Sequence, residues 1–106
     1  MIQFIKELFG LGPKVDLSDL IHNGALIVDV RTKGEFKSAH VDRSINIPLD
    51  QLQKEIKKLR PKKDRPIITC CATGNRSRVA KSIIKSAGYT EVLNGGGWMK
   101  VQRLIP

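Results

Sequence analysis

Residues 67–77 read IITCCATGNRS, and this stretch decides the fold. The bulky run from Ile67 to Thr69 follows a proline and predicts a short buried strand. From Ser77 onward the apolar residues recur at the spacing of a helix that packs on one face; they are Val79, Ala80, Ile83, Ile84 and Ala87. A strand, a loop of small residues and a helix start form a nest of backbone N–H groups, which binds anions.

The nest makes Cys71 the candidate nucleophile. The helix N-terminus carries roughly half a positive charge, and Arg76 adds a full one at the end of the loop. Gly74 lets the backbone curl around the sulfur with a positive φ where this is required. Because these features favour a negative charge, we predict that Cys71 is a thiolate at rest.

Residues 71–77, CATGNRS, resemble the active-site loop of the rhodanese-like sulfurtransferases. In that family a cysteine is followed by four residues and an arginine, commonly with glycine third after the cysteine and serine after the arginine. A second stretch, residues 29–48, reads DVRTKGEFKSAHVDRSINIP and contains the family's Asp-x-Arg, Glu-Phe, His-Val and Asn-Ile-Pro motifs in order. With the Gly-Gly-Gly segment at 95–97, the resemblance spans roughly residues 16–101.

The resemblance implies a three-layer α/β fold, with a mostly parallel central sheet of four or five strands and helices on both faces. It also implies transfer of a sulfane sulfur from a small anionic donor, such as thiosulfate, polysulfide or a persulfide, through a Cys71 persulfide to a thiol, cyanide or protein acceptor. Cys71 and Arg76 are then catalytic, and no metal or organic cofactor is expected. The predicted substrate-binding residues are Ala72, Thr73, Gly74, Asn75 and Ser77.

Four polar residues at or after the end of an earlier predicted strand are candidate supports of the Cys71 loop. An apolar run at 25–30 ends in Asp29 and Arg31, at the strand end where open α/β sheets place their ligand crevice. Glu35 and His40 lie further along the same motif. We interpret these four as a structural network, because partly buried charges persist when they are paired. His40 is not assigned a catalytic role, since sulfur transfer to a thiolate needs no base.

Two other functions remain open at this stage. Cys70 and Arg76 are also spaced as in cysteine-dependent phosphatases and arsenate reductases, whose longer loop cradles a larger dianion. Against this, Gly74 lies third after Cys71, and no histidine precedes Cys70. Neighbouring strand residues point to opposite faces, so we expect Cys70 to end the strand and Cys71 to open the loop. The other alternative is a binding module that keeps the fold without catalysis.

The composition indicates one domain and small anionic partners. The 106 residues suffice for a single core. Residues 1–12 are expected to form a short amphipathic helix before a domain at 13–106, and a homodimer through that helix is possible.

The net charge of +9 is spread over helices and turns, so no nucleic acid is expected, and membrane contact is not expected either. Two adjacent cysteines give no disulfide framework or metal motif, which favours a reducing, cytoplasmic location.

The remaining elements follow from apolar spacing and turn residues. We predict an edge strand at 14–16, a helix capped by Asp16 or Ser18 that stops near Gly24, strands at 25–30, 44–47 and 91–93, and an amphipathic helix at 49–59. The resemblance implies that the glycine triplet lies beside the active loop. Trp98 is expected either in the core or at the mouth of the pocket.

Overall fold

A computed structural model of the protein describes residues 16–59 and 63–106. Its centre is a four-stranded sheet in the order β2-β1-β3-β4, and every neighbouring pair is parallel. The strands are β1 (Leu26–Asp29), β2 (Ile45–Asn46), β3 (Ile67–Cys71) and β4 (Val92–Gly97). The α/β class and the parallel sheet are therefore confirmed. Since parallel strands share a direction, the carboxyl ends of β1 and β3 meet at one edge of the sheet.

Five helices precede, connect or follow the strands in the described ranges. They are α1 (Leu17–His22), α2 (Lys33–Ser38), α3 (Leu52–Glu55), α4 (Asn75–Ser86) and α5 (Trp98–Gln102). Asp16 caps α1, its carboxylate accepting hydrogen bonds from the N–H groups of Ser18 and Asp19. Gly24 follows the end of this helix with φ of 93°, which agrees with its predicted role as a stop.

The sheet is covered on both faces, as the alternation of its side chains predicts. On one face Val28 and Ile67 pack with residues of α3 and α4, including Leu52 and Ile84. The other face carries a second cluster of buried residues from β1, β3, α1, α5 and the segment before β2: Ile21, Ile27, Val41, Ile68, Cys70 and Val101. Cys70 and Cys71 thus point into different cores, and only the Cys71 face is covered by α4.

The single helix predicted at 49–59 is wrong. The segment forms a 3₁₀ turn (Leu49–Gln51), the one-turn helix α3 and a second 3₁₀ turn (Ile56–Leu59). Neither Pro48 nor Gln51 caps the segment with its side chain, and uncapped helical turns readily tighten to 3₁₀ geometry. Leu52 and Leu59 are nevertheless fully buried, because 3₁₀ and α turns place residues three or four apart on similar faces.

Two boundaries around the loop also differ from the prediction. β3 includes Cys71 instead of ending at Cys70, and α4 begins at Asn75 instead of Ser77. β4 continues through the glycines as far as Gly97, beyond the predicted end at residue 93. A Cβ atom on Gly95 would lie 2.8 Å from Ile68 Cγ2 and from Val101 Cγ2. The strand can therefore run this close to β3 only because it has no side chain there.

Some predictions fall outside the described residues. The amphipathic helix at 1–12 lies there, as do two of the three residues of the edge strand expected at 14–16, of which only Asp16 is described. Within the described ranges, no helix has the length and apolar character needed to cross a membrane.

Candidate active site

The loop between β3 and α4 consists of Ala72, Thr73 and Gly74. Gly74 is the N-cap of α4 and has φ of 104°, a left-handed conformation that glycine adopts without a steric penalty. The carbonyl of Gly74 accepts the N–H of Arg78 at 3.1 Å, which starts the helical pattern. The turn returns the first N–H groups of the helix to the end of β3, where Cys71 lies.

The sulfur of Cys71 is surrounded by donors. It accepts the backbone N–H of Gly74 at 3.0 Å and of Ser77 at 3.4 Å, and the hydroxyl oxygen of Ser77 lies 3.5 Å away. Burial by itself raises the pKa of the Cys71 thiol, but hydrogen bonds from Ser77, Gly74 and Thr73 outweigh it, so the pKa lies below its usual value. The geometry favours an anionic sulfur at this point.

Cys70 has the opposite environment. Its side chain is fully buried in the apolar cluster beneath α1 and α5. Burial, reinforced by the nearby negative charge of Asp29, raises the pKa of the Cys70 thiol to about 12. Cys70 is therefore a neutral, inaccessible thiol near pH 7, although it is adjacent to Cys71 in the chain.

Arg76 is directed at Glu35. Its Nη1 and Nη2 donate to the two carboxylate oxygens of Glu35 at 2.8 and 3.0 Å, which is a bidentate pair. The hydrogen bond from Arg76 is the main cause that lowers the pKa of Glu35 to about 2, and the same pair raises the pKa of Arg76. Arg76 also borders an open groove of about 280 Å³, which is lined by Val30, Thr32, Pro48, Leu49, Asp50 and Arg76.

Glu35 joins this arginine to helix α2. Its carboxylate accepts the backbone N–H of Thr32 at 2.9 Å, while the Thr32 hydroxyl accepts the N–H of Glu35 at 3.2 Å. This reciprocal pair is a capping box, which fixes the start of α2. One carboxylate therefore ties the first turns of α2 and α4 together.

Asp29 and Arg31 form a buried ion pair at the carboxyl end of β1. Arg31 Nη2 donates to Asp29 Oδ2 at 2.7 Å, and Nε lies 3.0 Å from both carboxylate oxygens. Nη2 also donates to the carbonyl of Ala39 at 2.7 Å, and the guanidinium lies over Trp98 with 4.9 Å to the ring centroid. Trp98 is half-buried against the second core, so it serves the packing of the Arg31 pair.

His40 and the outer loop residues lie apart from these pairs. The His40 ring stacks on Phe36 at 3.7 Å between centroids, and its Nδ1 lies 2.7 Å from the Phe36 carbonyl oxygen. It is exposed, and these contacts are with Phe36 in the preceding helix α2 and not with the Cys71 loop. The side chains of Ala72, Thr73 and Asn75 are exposed at the rim of the loop.

The sequence analysis missed Asn94 on β4. Its Oδ1 accepts the Ser77 hydroxyl at 2.6 Å and the N–H of Gly96 at 2.9 Å, and its Nδ2 donates to the Gly74 carbonyl at 3.1 Å. The amide thus joins the glycine segment to the active loop. An amide side chain directly before three glycines in an otherwise apolar strand was the signal available in the sequence.

The described part of the chain holds no group of three or more His, Cys, Asp or Glu side chains that could bind a metal ion. The contacts of Cys71 Sγ are those of a nucleophilic sulfur among hydrogen-bond donors. An anion bound at that sulfur would lie next to the backbone N–H groups of Gly74 and Ser77.

Comparisons with known proteins show the family of the chain. The family model for the rhodanese-like domain matches residues 14–104. The thiosulfate sulfurtransferase PspE of Escherichia coli is 37% identical over 70 residues, covering 66% of this chain and 67% of that protein. A rhodanese domain-containing protein of Drosophila melanogaster is 37% identical over 90 residues, covering 73% and 81%.

Solved structures show the same similarity. An Escherichia coli rhodanese solved with anions has a TM-score of 0.68 at 34% identity, covering 73% of this chain and 91% of that one. The human single-domain sulfurtransferase TSTD1 has a TM-score of 0.72 at 22% identity, covering 85% and 92%, and supports the fold alone. The chain therefore belongs to the rhodanese-like sulfurtransferase family.

Proposed function

We propose that the protein moves a sulfane sulfur through a persulfide on Cys71. The Cys71 thiolate attacks the outer sulfur of thiosulfate, the S–S bond of the donor breaks, and sulfite leaves with the bonding electron pair. A thiolate, cyanide or a protein thiolate then attacks the terminal sulfur of the persulfide. The bond from that sulfur to Sγ breaks, and Cys71 is released as a thiolate, so neither half-reaction needs a separate oxidant or reductant.

The observation that carries the proposal is the set of N–H donors on the Cys71 sulfur. Gly74 and Ser77 donate at 3.0 and 3.4 Å from a backbone that the N-cap conformation fixes in advance. Preorganised donors of this kind stabilise negative charge without reorganisation during the reaction. They act on the Cys71 thiolate before transfer, and again when the acceptor releases it.

The alternative register from Cys70 to Arg76 has less support. Its nucleophile would have to be a fully buried thiol whose pKa is raised to about 12, on the face of β3 away from the loop. A thiol of that kind is protonated and inert at neutral pH. This argues against a phosphatase or arsenate reductase that uses the longer loop.

Thiosulfate is the donor we propose to test first. PspE, with 37% identity, is a thiosulfate sulfurtransferase. Thiosulfate is a small dianion, and the loop offers backbone donors and small side chains at Ala72 and Thr73 in place of a bulky specificity pocket. Persulfide and polysulfide donors present the same anionic outer sulfur and belong in the same assay.

The test is the intact mass of the reduced protein after incubation with thiosulfate, compared with Cys71→Ala and Cys70→Ala. We expect the parent and Cys70→Ala to gain the mass of one sulfur atom, and cyanide to remove it as thiocyanate. Cys71→Ala should gain nothing while its circular dichroism remains that of the parent. Loading that follows Cys70, or no loading from any of the three donors, would show the proposal to be wrong.

A further inference from the structure

The orientation of the Asn94 amide is fixed by two backbone groups. The N–H of Gly96 lies 2.9 Å from one side-chain atom of Asn94 and requires an acceptor there, which is Oδ1. The carbonyl of Gly74 lies 3.1 Å from the other and requires a donor, which is Nδ2. Because both backbone groups keep these roles, the amide cannot flip without breaking two hydrogen bonds.

This orientation determines where the proton of the Ser77 hydroxyl points. Ser77 Oγ lies 2.6 Å from Asn94 Oδ1, and since that atom only accepts, Ser77 donates to it. The hydroxyl has a single proton, so it then presents only lone pairs to Cys71 Sγ at 3.5 Å. A neutral S–H group at Cys71 can donate to those lone pairs, whereas a thiolate cannot.

From this geometry we infer that the Ser77 hydroxyl is a two-position donor that Asn94 and the Cys71 sulfur compete for. When Cys71 is a thiol, the hydroxyl donates to Asn94. When Cys71 is a thiolate, the hydroxyl rotates and donates to Sγ. Asn94 is then a positioning residue, which acts on the nucleophile through Ser77.

The contacts around Ser77 allow its hydroxyl to rotate while the Ser77 backbone and the Asn94 amide stay in place. The Ser77 carbonyl accepts the Thr69 hydroxyl at 2.9 Å, and the Ser77 N–H already points to Sγ, so the backbone of Ser77 is held on both sides. After the hydroxyl leaves, Asn94 Oδ1 still accepts the N–H of Gly96. Ser77 is fully buried, which excludes bulk water as a competing partner.

The inference deepens the proposed function and rests on Cys71 as its nucleophile. In the persulfide the charge lies on the terminal sulfur, so Sγ no longer needs the extra donor and the hydroxyl returns to Asn94. The hydroxyl therefore supports Sγ while it is the attacking or leaving thiolate. Competition by Asn94 limits that support, which keeps the thiolate from being stabilised so strongly that its reactivity falls.

The test is a four-protein cycle of the parent, Asn94→Ala, Ser77→Ala and the double variant. The readout is the midpoint pH of alkylation at Cys71, located by mass spectrometry. Cys70 and Arg76 are the ionisable groups that interact with Cys71, and Asp29, Arg31 and Glu35 act on those two in turn; none of the five changes within the cycle. Alkylation needs no sulfur donor, so a protein that fails to accept thiosulfate still gives an answer here.

We expect Asn94→Ala to lower the midpoint when Ser77 is present, by about half a unit to one unit relative to the same change in the Ser77→Ala background. If Asn94 only held the loop in place, Asn94→Ala would loosen the loop and raise the midpoint by the same amount with and without the Ser77 hydroxyl. Equal shifts of any size, or a larger rise with Ser77 present, would overturn the inference.

A second substitution covers the case in which Asn94→Ala does not fold. Asn94→Asp keeps an acceptor for Ser77 and Gly96 and holds the hydroxyl proton more strongly, while the Gly74 carbonyl loses its donor in both backgrounds alike. We expect Asn94→Asp to raise the midpoint pH of Cys71 alkylation, and to raise it more with Ser77 present than in the Ser77→Ala background. The coupling with Ser77 then has the opposite sign from that of Asn94→Ala, which lowers the midpoint. A rise of the same size in both backgrounds would be a plain charge effect and would also overturn the inference.

Discussion

Removal of Arg31 is expected to destabilise the protein strongly, because it leaves a buried charge without its partner. Asp29 has no exposed surface, and the side chain of Arg31 is 5% exposed. In Arg31→Ala the Asp29 carboxylate loses the guanidinium N–H groups at 2.7 and 3.0 Å and keeps the backbone N–H of residue 31 at 2.9 Å.

The size of the stability loss follows from the burial of the unpaired Asp29 carboxylate. Breaking a buried pair by removing one partner commonly costs about 3–5 kcal/mol of the free energy of unfolding. A domain has roughly 5–15 kcal/mol in total. The bond from Arg31 to the Ala39 carbonyl and its contact with Trp98 disappear as well. We therefore expect Arg31→Ala to lose a large share of its stability.

The measurement is urea unfolding followed by circular dichroism, with Lys58→Ala as the matched control. Lys58 Nζ lies 3.4 Å from Glu55 Oε2, but its side chain is 62% exposed. An exposed pair of this kind contributes about 0–1 kcal/mol. The two variants each remove one cation from one ion pair, so the control shows how much of the loss comes from breaking an exposed pair alone.

A further variant separates the stranded charge from lost packing. Asp29→Asn added to Arg31→Ala removes the negative charge at almost constant volume, and we expect it to recover part of the lost stability. If Arg31→Ala costs no more than Lys58→Ala, or if the double variant is less stable than Arg31→Ala alone, the reasoning from buried charge is refuted. A large loss of sulfur transfer at unchanged stability would instead make Arg31 a substrate-binding residue.

Two further predictions concern the loop. Gly74→Ala and Gly24→Ala both place an alanine at positive φ, at an expected cost of about 1–2 kcal/mol each in urea unfolding. Only at Gly74 would the new Cβ also lie 3.3 Å from Gly96 Cα, so only that variant should raise the alkylation midpoint of Cys71; equal midpoints would contradict this. Because the folded pKa of Glu35 is lowered from 4.5 to about 2, the pair with Arg76 stabilises the fold fully above pH 4.5 and loses this effect as the pH falls toward 2. Thermal unfolding of the parent and Glu35→Gln should therefore differ at pH 7 and converge near pH 2; a constant difference would exclude this linkage.

Local sequence was sufficient for the features that depend on neighbours in the chain. The run at 67–69 and the helical spacing after Ser77 predicted the strand, loop and helix, because side-chain periodicity reports which face is buried. The alternation of neighbouring residues correctly placed Cys70 and Cys71 on opposite faces of β3. The same spacing could not distinguish one helix at 49–59 from a series of 3₁₀ and α turns, since both bury Leu52 and Leu59.

Features that depend on distant segments could not be derived in this way. Glu35 and Arg76 are 41 residues apart, and their pairing depends on how α2 and α4 both approach the edge of the sheet. Asn94 reaches Ser77 across 17 residues because the glycines let β4 run against the loop. Neither the hydropathy nor the charge of these residues reports such an approach.

The pairing of Arg76 changes how the stabilisation of Cys71 is understood. The sequence suggests a free arginine charge that acts on the sulfur. In the structure, however, the Glu35 carboxylate accepts hydrogen bonds from both terminal nitrogens of the Arg76 guanidinium. Opposite charges this close largely cancel each other's field at a distance. Next to the sulfur are the N–H groups of Gly74 and Ser77 and the hydroxyl of Ser77, whose effect depends on short, directed hydrogen bonds. Arg76 therefore holds the first turn of α4 against α2 through Glu35, in addition to its Coulombic interaction with Cys71, and we predict that the conformation of the loop determines how strongly the Cys71 anion is stabilised.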